Sequence, residues 1–380
     1  MLKIINFNKN YEKSTLRLFY KSVFFNRKEF EYARIPTWFY RYSDLKDSIK
    51  LLAIMDGKVV GSLGVLPYEG YVNKKKKKIG FFVDNCVLPE YLHEHDKIMS
   101  ALFKEMEKRA RRAGYKYIIG WDYTEKISEH LPLYNGLGYE VVDGINWFGG
   151  GTKPIHIICQ NNFHISAVWK IMLRLYNLKY YLCERKLPRL EDDISIREMA
   201  NKDLPEVVRV INHQNENMEF SPRYTINSLK KYIRKYHSEC FIAEADKKIV
   251  GVLITFLGSW SGWMYGKPEY TKSYAIILIK HPLEFAVHPD YAEKIAPHLL
   301  LKAMKGENDK EYHMFVDVFD RRIAWMRKAY LAIGADELPY DYGSLIFKDL
   351  SGKRTTLERN VYIPTNLVIN PITDVRYFGN

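Results

Sequence analysis

The chain has no long apolar run. Stretches such as Ala275–Ile279 are far shorter than the roughly 20 apolar residues a membrane-spanning helix needs. Cysteine is scarce: Cys86, Cys159, Cys183 and Cys240 are the only four in 380 residues. They have no paired spacing, which excludes a disulfide framework and a zinc motif and fits free thiols in a reducing compartment. The opening Met1-Leu2-Lys3-Ile4-Ile5-Asn6 lacks the apolar core of a signal peptide, so a cytoplasmic location is expected. No helix-turn-helix, finger or RNP pattern is present, which leaves little room for a nucleic-acid reader.

What is present is apolar, aromatic and basic. The hydrophobic fraction is 47% and there are 29 tyrosines, enough for a large core and against wholesale disorder. A length of 380 residues suits two or three domains. The net charge is +13, and residues 72–118 hold twelve Lys/Arg against six Asp/Glu. The run Lys74–Lys78 reads either as a solvated hairpin tip or as a funnel for a phosphorylated ligand.

The order of elements occurs twice. Leu51–Val65 reads as strand, Asp56-Gly57 turn, strand, and so does Cys240–Ile254 around Asp246-Lys247, each a hairpin signal. Both second strands carry Val-Gly, as Val60-Gly61 and Val250-Gly251. A further strand then ends in Leu88-Pro89-Glu90-Tyr91 or His288-Pro289-Asp290-Tyr291. A helix follows each time. In the first, Ile98, Leu102, Met106, Ala110 and Ala113 share a face and Gly114 stands as a C-cap; in the second the apolar positions are Leu299, Leu300, Ala303 and Met304. Another strand follows (115–121, 312–319). A short helix then ends in Tyr-x-x-x-Gly, as Tyr134…Gly138 and Tyr330…Gly334. Each repeat therefore runs β-α-α-β-β-β-α-β-α-β, an α/β (α+β) architecture. The expected division is an N-terminal domain at 1–150, a connecting helix and linker at 151–193, a C-terminal domain at 194–350 and an extension at 351–380. In the extension, Val361-Tyr362-Ile363-Pro364 has strand character suited to a sheet edge.

This order resembles the GNAT superfamily of acyltransferases over both halves. The resemblance implies two GNAT-like domains, each a mixed, largely antiparallel central sheet flanked by helices. It also implies acyl transfer from acetyl-CoA or another acyl-CoA to a small-molecule or peptide amine. An amine must be neutral to attack, so a base or ordered water takes its proton, and the oxyanion needs a donor, in this family a backbone N–H of the fourth strand. By the resemblance, Tyr134 in the first repeat and Tyr330 in the second stand where the thiolate's acid is found. Asp84 and Glu284 hold matching places for a base. Tyrosines on helix edges are equally often core residues, and Asp84 reads equally as a satisfied structural carboxylate.

The family's glycine-rich pyrophosphate loop is missing. Its positions hold Leu92, His95 and Lys97 in the first repeat and Ala292, Ile295 and Pro297 in the second. Proline has no N–H to offer, and both segments also read as ordinary helix starts. Cosubstrate contacts are therefore expected only in the first repeat, from Val87 at the strand end and from the side chains of His93, His95 and Lys97, with Lys104, Lys108, Arg111 and Arg112 near an adenosine phosphate. No third ligand accompanies His93 and His95, so no metal is expected. Two other readings remain open: a non-catalytic binding protein on the same scaffold, and an aminoacyl transferase that takes an aminoacyl-tRNA. Trp38, Phe39, Tyr40, Trp121 and Tyr123 would line an acceptor cleft or belong to the core.

Overall fold

The computed structural model describes residues 1–22, 42, 45–122, 124–151, 175, 178–179, 181–262, 275–305, 314–337, 343–352, 355, 357 and 361–362. The first repeat runs β1 (Lys3–Asn6), α1 (Glu12–Lys21), β2 (Ile49–Met55), β3 (Lys58–Val72), β4 (Lys75–Val87), α2 (His95–Arg112), β5 (Tyr117–Asp122), α3 (Thr124–Gly136) and β6 (Glu140–Gly151). The second runs β7 (Ile194–Glu198), α4 (Leu204–Glu216), β8 (Phe220–Pro222), α5 (Ile226–Lys235), β9 (Glu239–Ala245), β10 (Lys248–Gly262), β11 (Ala275–Val287), α6 (Ala292–Lys305), β12 (Met314–Asp320), α7 (Ala324–Ala332), β13 (Asp336–Glu337) and β14 (Gly343–Asp349). The second repeat shows the expected order, with the short strands β8 and β13 added; in the first, one helix, α1, is described between β1 and β2, and residues 23–41, where the second was expected, lie outside the described residues. Trp38, Phe39, Tyr40 and Tyr123, and most of the connecting helix, lie outside the described residues, whereas Trp121 is a buried core residue.

The two shared motifs have packing reasons. A Cβ at Gly61 would come within 2.9 Å of Ile98, and one at Gly251 within 2.9 Å of Leu299. Each Val-Gly thus lets the main helix of its repeat, α2 or α6, lie directly on the sheet. The Tyr-x-x-x-Gly pattern is a helix terminator. Gly138 and Gly334 have φ of +75° and +84°. The amide of Tyr139 donates to the Tyr134 carbonyl at 2.9 Å, and that of Ala335 to the Tyr330 carbonyl at 3.0 Å, the six-to-one bond of a Schellman ending.

The lysine run is a hairpin tip in its first part. Asn73 and Lys74 form the turn with φ of +46° and +63°, and Lys75 and Lys76 are exposed at the start of β4. Lys78 differs. Its ammonium donates to the Ala113 carbonyl at the C-terminus of α2 (2.7 Å) and to Asp47 (2.6 Å). In the second repeat Lys280 makes the same link, to the Ala303 carbonyl of α6 (2.7 Å) and to Glu239. A cation at a helix C-terminus is the favourable sign for the dipole.

The strands form one sheet in the order β1-β2-β3-β4-β5-β14-β6-β12-β11-β10-β9-β7, with β8 beside β3 and β13 beside β6. The last strands are exchanged. β14, from the second repeat, pairs with β5 of the first, Ser344 facing Asp122. β6, from the first, runs along β12 of the second, Gly151 facing Met314. Each repeat's sheet is thereby completed by a strand of the other. Near the C-terminus, Val361 forms a single parallel bridge to Phe220 and Tyr362 is fully buried. Tyr362 lies among Phe285, Phe315 and Tyr330, and Ile363 and Pro364 lie outside the described residues.

In each repeat the one parallel pair is short. β4 and β5 are in register only from Ile79/Tyr117 to Phe81/Ile119, and β11 and β12 only at Ile279/Met314 and Lys280/Phe315. Beyond these points the strands diverge. Two openings result, one per repeat, each flanked on one side by the helix that follows (α2 or α6). They are where the candidate residues gather.

Candidate active site between diverging strands

In the first opening, β4 supplies an edge and β5 a carboxylate. The amide of Leu88 donates to the Val60 carbonyl at 2.8 Å, toward β3. Successive strand amides alternate in direction, so the Val87 N–H faces the opening. Asp122, at the end of β5, is fully buried. It accepts the Tyr134 hydroxyl at 2.9 Å and meets His130 Nδ1 at 2.7 Å. His130 and Tyr134 lie four apart on α3, hence on one face. His130 is 19% exposed and stacks on His95, with ring centres 5.2 Å apart. The Tyr134 phenol is pushed well above its usual range by burial first, then by the charge and hydrogen bond of Asp122. Its proton is directed at Asp122.

The remaining expected residues are spread around this centre. Asp84 lies in the β-bulge of β4 opposite Ser62–Gly64 with φ of +59°, a region aspartate tolerates better than most residues. Tyr42 donates to its carboxylate and Ser62 to its carbonyl. Its surroundings include Thr15 and Phe19 of α1, whereas Tyr134 packs with α2. The two therefore lie on opposite faces of the sheet, able to meet one ligand only across the opening. His95, at the start of α2, bonds to Asp96 at 2.8 Å. His93 is exposed and stacks on Tyr91. Lys97 pairs with Glu94 at 2.8 Å. Of these three only His95 reaches the Asp122–His130 group. On α2, Lys108 and Arg111 pair with Glu105 and Glu107.

The second opening has the same plan and a different filling. Tyr330 donates to Asp317 of β12 at 2.7 Å, as Tyr134 does to Asp122. Glu284 is fully buried on β11, beside a bulge, and accepts the Tyr224 hydroxyl at 2.5 Å. Tyr68 of the first repeat stands behind Tyr224, hydroxyl to hydroxyl at 3.4 Å. Burial raises the Glu284 carboxyl to about 8, against the hydrogen bonds of Tyr224 and Asn215. The strand edge itself is taken. The Gln214 side chain accepts from the Val287 N–H at 2.8 Å and donates to the Phe285 carbonyl at 2.9 Å. The Phe285 N–H donates to the Tyr362 hydroxyl at 3.2 Å. Where the first repeat has Asn85, Phe285 packs on Trp325 and Tyr330 with ring centres at 5.1 and 6.4 Å.

Sequence reasoning did not single out His130, Asp122, Gln214 or Tyr362. Asp122 and His130 carried one usable signal, a His one helical turn before Tyr134 and an acid at the end of the preceding strand. The other two act through contacts far apart in sequence, with no local pattern. Among the described residues no group of three or more His, Cys, Asp or Glu is placed to hold a metal ion, and no helix is long and apolar enough to cross a membrane.

Comparison with known proteins agrees with this architecture. Residues 5–142 match the acetyltransferase (GNAT) domain family. No curated protein sequence matches the chain. Among solved structures, the chain is similar to Saccharomyces cerevisiae N-myristoyltransferase with bound myristoyl-CoA, at a TM-score of 0.60 and 11% identity, over 94% of this chain and 80% of that one. It is also similar to a GCN5-related N-acetyltransferase from Kribbella flavida (TM-score 0.54, 12% identity, 92% and 72% covered). A GCN5-related N-acetyltransferase from Anabaena variabilis gives a TM-score of 0.54 at 10% identity, with 92% and 73% covered. Residues 5–142 thus match the acetyltransferase (GNAT) domain family, and the chain as a whole has the fold of the GNAT and N-myristoyltransferase structures it is similar to.

Proposed function

We propose that the protein is an acyl-CoA-dependent N-acyltransferase whose reaction centre is the opening between β4 and β5. The observation that carries this reading is the contrast between the two openings: the second has its strand edge taken by Gln214 and Tyr362, while the first holds a buried Asp122 with His130 and Tyr134. An acyl-CoA would supply the activated acyl group. The Val87 N–H offers a donor for an amide or acyl oxygen of such a cosubstrate. The pyrophosphate position fits less well, because Leu92, His95 and Lys97 replace glycines and Lys97 is paired with Glu94.

In this reading His130 takes the proton of the incoming amine. Asp122 accepts from Nδ1 and so leaves the lone pair on Nε2, the arrangement by which a carboxylate sets an imidazole's tautomer. Tyr134 fixes Asp122 and is a positioning residue. As nitrogen bonds to the acyl carbon and the carbon–sulfur bond breaks, the proton held by His130 is available to the thiolate. Asp84, across the sheet with Tyr42, faces the acceptor's side. The acceptor is an amine on a small molecule or peptide, and the acyl chain is acetyl or longer.

The test is thermal stabilisation by acetyl-CoA, free CoA and myristoyl-CoA, followed by turnover against a panel of amines. Ligand at a hundred times its dissociation constant adds about 2.7 kcal/mol. No shift with any of the three would remove the cosubstrate and the proposal with it.

A further inference from the structure

The connecting helix carries an apolar stripe turned to solvent. Residues 175, 178–179 and 181–186 are helical. Leu175, Leu178, Tyr181 and Leu182 are 56%, 51%, 48% and 48% exposed. Their spacing of three and four residues puts them on one helix face. Among the described residues eight large apolar side chains are this exposed, and these four fall within eight consecutive positions. The others, Met1, Leu92, Ile226 and Leu331, stand far apart in the chain, the scatter of an ordinary surface.

The other side of the helix is docked. Lys179 donates to Asp336 at 2.5 Å, and Glu184 pairs with Lys305 at the end of α6. Leu187 and Leu190, just beyond, pack on the core of the second repeat. At about 100° per residue, Glu184 lies half a turn round from Leu175. The second repeat thus holds the acidic side inward and leaves the stripe outward. Cations border the stripe. Arg185, Lys186 and Arg189 are exposed and have no carboxylate partner among the described residues. The Arg185 guanidinium lies 4.5 Å from the centre of the Tyr181 ring, so its stem covers apolar surface while its charge stays in water. Over residues 170–189 the sequence has six Lys/Arg and one acid, Glu184.

An apolar stripe bordered by Lys and Arg is the pattern by which a helix lies in the surface of an anionic bilayer. The apolar side chains enter the acyl boundary, and the cations meet anionic headgroups. A second copy of the chain fits less well. A twofold interface sets a patch against itself, which here brings Arg185 and Lys186 against their own copies in a chain of net charge +13. We propose that this stripe is a membrane-surface docking site. Leu175, Leu178, Tyr181 and Leu182 enter an anionic bilayer, and Arg185, Lys186 and Arg189 grip its headgroups. The chain then lies on the bilayer through its connecting helix, with the second repeat holding that helix in place.

The experiment is flotation of the full chain with phosphatidylcholine vesicles, with and without a third phosphatidylserine, at low and high salt. Expected is binding to the anionic vesicles, weakened by salt, with hydrogen-exchange protection gained over residues 175–186. Arg185→Ala/Lys186→Ala lowers that binding by about tenfold or more, on a scale of about fivefold per cation at an anionic surface. Leu178→Glu/Leu182→Glu abolishes it, and because both positions are exposed the circular dichroism spectrum and unfolding midpoint are unchanged. The milder Leu178→Ser/Leu182→Ser weakens binding at both salt concentrations. Failure of the wild-type chain to bind anionic vesicles overturns the proposal. So does binding that both leucine double variants leave unchanged, which places the contact on another basic surface such as the Lys74–Lys76 tip. A dimer in sedimentation that the leucine variants dissociate, without vesicle binding, gives the stripe to a second copy and overturns it too. Acyl transfer in the first repeat is tested separately, by turnover without vesicles.

Discussion

The two openings share a plan and differ in what faces it. Each has a tyrosine at the end of a short helix bonded to a carboxylate on the strand before, Tyr134 to Asp122 and Tyr330 to Asp317. Each has a second carboxylate at a bulge bonded to another tyrosine, Tyr42 to Asp84 and Tyr224 to Glu284. The tyrosine–carboxylate pairs are therefore part of the repeated scaffold, and their presence does not distinguish one opening from the other. What distinguishes them is the neighbour. Asp122 has His130 beside it, while β11 has Gln214 and Tyr362 on its edge and Phe285 in place of Asn85.

The largest effect that would break this comparison is on turnover. His130→Ala should lower kcat at least about a hundredfold, the usual contribution of a general base, with folding intact. Asp317→Asn in the second repeat should leave kcat within about twofold. Equal losses from both would place the chemistry elsewhere.

The second test separates scaffold from function. Tyr134→Phe and Tyr330→Phe each remove a buried hydroxyl from a buried carboxylate, so each should cost about 1–3 kcal/mol in urea unfolding. Only Tyr134→Phe should also change the pH profile of turnover, because it alone supports the His130 partner. A Tyr330→Phe variant of full stability would show that the second pair carries no structural role.

A further effect, read as stability against pH, concerns Glu284. Its carboxyl is raised to about 8 in the folded chain, above the ordinary value near 4.3 for the unfolded one. The folded state then holds a proton that the unfolded state has lost, so stability should fall as pH rises from about 5 to 8, by up to about 1.4 kcal/mol per pH unit. Glu284→Gln should flatten that slope in denaturant titrations across this window. An unchanged slope would mean that other groups set it. The smallest effect should come from Lys76→Ala at the hairpin tip, within about 0.5 kcal/mol, since its contact with Glu69 is exposed and long at 3.7 Å.

Much of the fold was legible because its signals are local. Hairpin turns, helix faces and Schellman glycines depend on neighbours within a few residues, and each was met twice. The Val-Gly dipeptide was legible as a repeat but not as a packing site, since its reason lies on a helix about 40 residues away. The candidate site was legible in its tyrosines. His130 was passed over because one histidine in an amphipathic helix looks ordinary until the strand carboxylate is placed beside it. Pairings across the whole chain, such as Tyr362 on Phe285 and Gln214 on Val287, left no pattern in the sequence.

The amino-acid sequence by itself therefore determined the element order, its duplication, the helix ends and the loss of the glycine-rich loop, all set by local backbone and periodicity rules. The tertiary structure decided three other things. It exchanged the final strands β6 and β14 between the repeats, closed one strand edge with side chains from α4 and the C-terminal extension, and put Asp84 and Tyr134 on opposite faces of the sheet. These outcomes depend on contacts between groups far apart in the chain, and a buried strand N–H or C=O must be paired by whatever partner the fold brings to it.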